Sequence, residues 1–90
     1  MASIRPQTRA MIDRLVGFDT TSAKSNLALI DFAQDYLEGQ GARCRRTLSG
    51  DGTKANLFAT LGPDAPGGVV LSGHSDVVPV EGQAWDSDPF

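Results

Sequence analysis

The chemistry available to this chain is concentrated in His74-Ser75-Asp76. In an extended segment alternate side chains point the same way, so His74 and Asp76 share one face. A neutral imidazole ligates metals through one ring nitrogen, and a carboxylate bonded to the other fixes its tautomer and orientation. Gly73, just before the pair, permits close approach of backbone or ligand. The apolar run Val69-Val70-Leu71, ending at Ser72-Gly73-His74, predicts a strand buried on both faces. Strand ends in open α/β sheets are where ligands tend to sit. An isolated H-x-D pattern, however, is also what a surface or satisfied core histidine looks like. His74 is the only histidine, and a zinc site takes at least three protein ligands. Any metal centre built on His74 therefore draws further ligands from elsewhere.

Other reactive types are less well placed. Cys44 lies among Arg43, Arg45 and Arg46, cations that lower a thiol pKa, but nothing in the sequence brings it to His74, and a structural cysteine is the plainer reading. Ser72 and Ser75 flank the histidine without the G-x-S-x-G spacing of a nucleophile elbow. The glycine-rich stretch Gly62 to Gly68 lacks the G-K-[ST] of a phosphate loop. The arginine cluster reads as the solvated, charge-protected edge of a sheet.

The elements that must position His74 follow from periodicity. Met11, Ile12, Leu15 and Val16 recur at helical spacing in a segment from about Arg5 to Val16; Pro6 suits its first turn and Gly17 its end. A polar loop, Phe18 to Ser22, follows. A second helix begins near Ser25 or Asn26, either of which can cap it. Its apolar stripe is Leu29, Ile30, Ala33, Tyr36 and Leu37, and Gly39 and Gly41 bracket its end. Ala42–Leu48 reads as an edge strand, Ser49–Gly52 as a turn, and Ala55–Leu61 as a second strand. The tail from Glu81 to Phe90 has no period, yet carries Trp85 and Phe90, large apolar groups that need a surface to lie on.

Composition bounds the partners. The 90 residues carry 8 Lys+Arg against 11 Asp+Glu, a net charge of -3, with 40% hydrophobic residues. That is globular composition with no concentrated basic surface, so neither nucleic acid nor an anionic membrane is expected as a partner. One cysteine makes no internal disulfide. No apolar run reaches the ~18 residues of a membrane helix, and the N-terminus lacks the pattern of a secretory signal. A cytoplasmic location is the expectation.

The segment from Val69 through His74 and Asp76 to Val80, followed by Trp85-Asp86-Ser87-Asp88-Pro89-Phe90, resembles the first metal motif of the zinc-dependent aminoacylase/carboxypeptidase family. Phe18-Asp19-Thr20-Thr21-Ser22, Ser25-Asn26-Leu27 and Lys54-Ala55-Asn56-Leu57-Phe58-Ala59 most resemble its acetylornithine deacetylase branch. The combined H-x-D-x-V-P and W-x-x-x-P-F pattern is far more specific than H-x-D alone.

The resemblance implies an α/β fold, two helices packed on the start of a mixed sheet, with residues 1–90 as the N-terminal portion of a phosphorylase/hydrolase-like catalytic domain. It implies that His74 is a ligand of a dinuclear zinc or cobalt centre. It makes Asp76 the catalytic carboxylate that hydrogen-bonds and tunes that ligand. The implied reaction is hydrolysis of a small N-acyl amino acid, N-acetylornithine to ornithine and acetate in arginine biosynthesis. The family's later acidic and histidine motifs, and the domain through which its members dimerise, have no counterpart in this sequence; Glu81 is in the wrong context to serve as the general base. The chain is therefore expected to be a fragment that is inactive alone. A desuccinylase or carboxypeptidase relative, or a non-catalytic product with a structural role, are the alternatives.

Overall fold

Pro6 can open a helix because a first-turn N–H has no intrahelical acceptor. In the computed structural model, which describes residues 3–90, it does so: α1 spans Pro6–Val16 with Arg5 at the N-cap. α2 spans Leu27–Gly39, β1 Arg43–Leu48 and β2 Ala55–Thr60. No helix among the described residues is long and apolar enough to cross a membrane.

α2 ends as its glycines suggest. Gly41 takes a φ of 93°; its N–H bonds the Glu38 carbonyl, and the Ala42 N–H reaches back to Leu37 at 2.9 Å. This crossed pair satisfies carbonyls that the helix leaves free. Ala42 thus belongs to the helix stop, and β1 begins one residue later than expected. At the other end, Asn26 occupies the N-cap position but makes no capping bond with its side chain. Its amide instead brackets Ala55: Nδ2 donates to the Ala55 carbonyl and Oδ1 accepts from the Ala55 N–H, both at 2.9 Å. The free helix N–H of Leu27 bonds the Ser25 hydroxyl at 3.2 Å.

β1 and β2 form a two-stranded antiparallel sheet with Arg43 opposite Thr60 and Leu48 opposite Ala55. Asp51 builds the turn between them, its Oδ1 accepting from the Ser49 and Thr53 hydroxyls at 2.8 Å and from the Thr53 N–H at 3.1 Å. Those donors hold its carboxyl down at about 2. Alternation places Cys44, Arg46, Ala55 and Leu57 on one face, and α2 packs there. Leu29, Ile30 and Ala55 are buried together, with Phe18, Leu27 and Leu57 against them. Burial of this extent at Leu29 and Ile30 contributes up to about 1.5–3 kcal/mol each. At the margin Arg46 bonds both Asp31, at 2.6 Å, and Gln34 of α2. The opposite face, bearing Arg43, Arg45 and Phe58, is uncovered, and Phe58 is exposed.

The fold is α/β, as expected, but narrower than the expected architecture in four respects. α1 buries none of its residues, so only α2 packs on the sheet. α1 is held instead through the Arg14 guanidinium, 4.9 Å from the Phe32 ring centroid and 5.9 Å from that of Phe18. Tyr36, placed in the apolar stripe by its spacing, lies exposed. The sheet is antiparallel rather than mixed; apart from it, Thr21 and Val77 form an isolated parallel bridge. And Val69–His74 is not a buried strand: it has no ladder, and Leu71 is 93% exposed. A strand needs a neighbour. The Ser49 N–H bonds the Lys54 carbonyl, so the backbone groups of the next residue, Ala55, point away from β1, where the Asn26 amide already occupies them. Glycines with positive φ at 62, 67 and 68 turn the chain between β2 and this segment.

Candidate metal-ligand site

The polar loop between the helices holds the candidate site. Asp19 shapes it: Oδ1 accepts from the Thr21 N–H at 3.2 Å and the Thr21 hydroxyl at 2.6 Å, while Oδ2 meets the Lys24 ammonium. The hydrogen bond from Lys24, then those from Thr21, hold the Asp19 carboxyl at about 2. Thr20 and Thr21 are buried. Lys54, entering β2, places its ammonium on the Ser22 carbonyl.

This loop grips the later segment residue by residue. The Thr20 hydroxyl donates to the Ser75 carbonyl. The Val77 N–H donates to the Thr20 carbonyl at 3.1 Å, and the Ser22 N–H to the Val77 carbonyl at 2.9 Å. The Ser22 hydroxyl lies 2.8 Å from Asp76 Oδ2 and 3.2 Å from the Val77 carbonyl. Asp76 Oδ1 lies 2.9 Å from His74 Nδ1. Bonding from Ser22 first, and from His74 second, lowers the Asp76 pKa. An ionised carboxylate only accepts, so Nδ1 carries the proton. In the neutral ring Nε2 then keeps its lone pair, and the side chain is 85% exposed.

The sequence therefore placed His74 and Asp76 together, and the structure holds them so without a sheet. It missed Ser22, Thr20 and Asp19 as their supports. The local signal was a run of hydroxyl residues after an aspartate, but the partners lie more than fifty residues away. Gly73 departs from expectation: a Cβ there would meet nothing within 4 Å, so no close approach requires glycine. Cys44 and the arginines stay apart from the site, on β1. Ser72 to Val77 line an open cleft of about 920 Å³ whose other walls include Leu15, Phe18, Leu29 and Ala55. Phe90 returns to line the same cleft, while Trp85 remains exposed.

The donor set fits one metal ligand and not a whole centre. His74 offers Nε2, but among the described residues no three His, Cys, Asp or Glu side chains come together to hold a metal ion.

The sequence is 41% identical over 90 residues to the acetylornithine deacetylase of Myxococcus xanthus, a match spanning 94% of this chain and 23% of that protein. It is 35% identical to the acetylornithine deacetylase of Pasteurella multocida, over 94% of this chain and 24% of that protein. The chain belongs to the acetylornithine deacetylase family. A relative from Proteus mirabilis is 38% identical over 80% of the chain. The chain spans about a fifth to a quarter of the length of these curated relatives. No family model matches the sequence, and no solved structure matches it.

Proposed function

We propose that this chain is the N-terminal portion of the catalytic domain of a metal-dependent amidohydrolase that cleaves N-acetylornithine to ornithine and acetate, as in arginine biosynthesis. The observation that carries the reading is the His74–Asp76 pair: Nδ1 at 2.9 Å from a carboxylate, on an exposed ring. That is how a ligating imidazole is oriented by its outer partner. The names of the relatives support a hydrolase, and favour the deacetylase over a desuccinylase or carboxypeptidase.

In this reading His74 is one ligand, through Nε2, of a dinuclear zinc or cobalt centre whose other ligands come from outside these residues. The bound metals would polarise the amide carbonyl and lower the pKa of an attacking water. Asp76 acts on the ring: it keeps the proton on Nδ1 and raises the basicity of the ligating nitrogen. The cleft beside the pair would receive the acyl amino acid. A cytoplasmic, homodimeric parent enzyme is part of the proposal, with dimerisation through a domain outside this chain.

The test is direct. The 90-residue chain, titrated with zinc or cobalt, should bind weakly through His74, lose that binding in His74→Ala, and turn over no N-acetylornithine. Metal binding that survives His74→Ala, or turnover that the substitution abolishes, would overturn the corresponding half of the reading.

A further inference from the structure

We infer that Ser22 is a positioning residue for His74, acting through Asp76. The inference rests on the reading of His74 as a metal-facing imidazole, and takes it one residue further out. Asp76 has two carboxylate oxygens, and a lone contact at Oδ1 would leave the group free to rotate about its Cβ–Cγ bond. The Ser22 hydroxyl at Oδ2, 2.8 Å away, removes that freedom. A hydroxyl has one proton, and two acceptors lie near it, Asp76 Oδ2 and the Val77 carbonyl at 3.2 Å. The charged, nearer carboxylate takes it, because hydrogen bonds to ionised acceptors are shorter and stronger.

Ser22 can hold this post because its own backbone is fixed on both sides. Its N–H bonds Val77 at 2.9 Å, its carbonyl receives the Lys54 ammonium, and its neighbour Thr21 is anchored by Asp19. The same loop fixes the main chain of the facing segment at Ser75 and Val77. The carboxylate is thus clamped at one end by Ser22, and its other oxygen is presented to Nδ1. The consequence for the ring is a choice of tautomer: with Oδ1 in place the Nδ1–H form dominates and Nε2 is a free lone pair. With Asp76 free to turn, the imidazole reverts toward a mixture in which Nε2–H competes.

The experiment reads the tautomer without any metal. Long-range nitrogen–proton NMR on the 90-residue chain at about pH 8, above the ordinary imidazole range, should show pyrrole-like Nδ1 and pyridine-like Nε2 in the wild type. Ser22→Ala should shift both nitrogens toward the mixed values, Ser22→Thr should restore them, and Ser22→Cys, a weaker donor, should fall between. Zinc affinity should drop in Ser22→Ala by about threefold to tenfold, less than the ~10–100-fold typical of a group bonded directly to the ligand. Unchanged ring shifts in Ser22→Ala would overturn the inference. So would failure of Ser22→Thr to restore them while the Ser75–Val77 amides match the wild type. Should Ser22→Ala release the loop, seen as moved Ser22 and Val77 amides, the Cys and Thr variants decide alone. The two readings fail separately: zinc binding indifferent to His74→Ala removes the metal role, whereas the tautomer series judges Ser22 in either event.

Discussion

Two of the stretches that read as strands, Ala55–Leu61 and Val69–His74, are treated by the structure in opposite ways. The second is the richer in β-branched residues, yet the first makes the ladder. β2 is joined to β1 by a turn that Asp51 organises, so its partner arrives at once and at little loop entropy. Val69–His74 follows a glycine-rich turn and pairs with neither edge of the two-stranded sheet. Strand propensity describes a fit to a pleated neighbour and provides none. The candidate pair His74 and Asp76 lies at the end of the unpaired stretch, so its geometry comes from hydrogen bonds to the Thr20–Ser22 loop rather than from a sheet.

The widest gap between the two regions should appear in stability. Ile30 is 6% exposed and sits with Leu29 and Ala55 under β2. Ile30→Ala should cost about 2–5 kcal/mol, the range for truncating a buried Leu or Ile, and in so small a core should abolish the cooperative melt. Leu71→Ala, at an exposed position, should stay within ~0.5 kcal/mol. Denaturant titration of both variants checks the pair. A large loss at Leu71 would mean that the segment is covered in solution.

Asn26→Ala probes the outer edge of β2 at Ala55. It strips the Ala55 N–H and carbonyl of their partners at a buried position, an expected cost of about 1–3 kcal/mol. The Ala55 amide should then lose its hydrogen-exchange protection first. Unaltered protection would show that another group already serves that edge.

What could be read from the sequence, and what could not, divides along the same line. The helices were legible because Pro6, Gly41 and the spacing of Leu29, Ile30, Ala33 and Leu37 act within a turn or two. His74 and Asp76 were legible as a pair because two residues in extended chain suffice to bring their side chains together. Asn26 was recognisable as a helix-start residue, but its side chain found Ala55, twenty-nine positions on. A capping type announces hydrogen-bonding capacity, not the partner. Ser22 is the clearest case: its role depends on a contact across 54 residues that no local period encodes. Val69–Leu71 erred for the complementary reason, since an apolar run states that burial is favourable without stating that a surface is at hand.

Thr20→Val separates the clamp from the core. The substitution keeps the shape of a side chain that is 5% exposed and deletes the donor to the Ser75 carbonyl, at about 1 kcal/mol. Because the clamp lies outside the α2–β1–β2 core, the midpoint of the global melt should barely move, while exchange at the Val77 amide accelerates by about fivefold, the same energy expressed as a local opening. Equal loss in both measurements would mean that clamp and core unfold as one unit.

Acid should give the smallest effect and still distinguish the regions. The Asp19 carboxyl titrates at about 2, below its ordinary value of 3.8, chiefly because Lys24 and Thr21 bond its charged form, and Asp76 is lowered by Ser22 and His74. A depressed folded-state pKa means that unfolding takes up protons in acid. The stabilisation is complete above the ordinary carboxylate range and is lost as pH falls from about 4 through about 2. Both groups are exposed, so solvent screening keeps the contribution modest. The amides of Thr21, Ser22 and Val77 should therefore shift together over that interval, as should Thr53 beside Asp51, whose carboxyl also sits at about 2. Leu29 and Ile30, packed by apolar contact alone, should hold their positions. If the helix amides move with the loop, acid is dismantling the core, and the separation between a hydrogen-bonded site and an apolar scaffold fails.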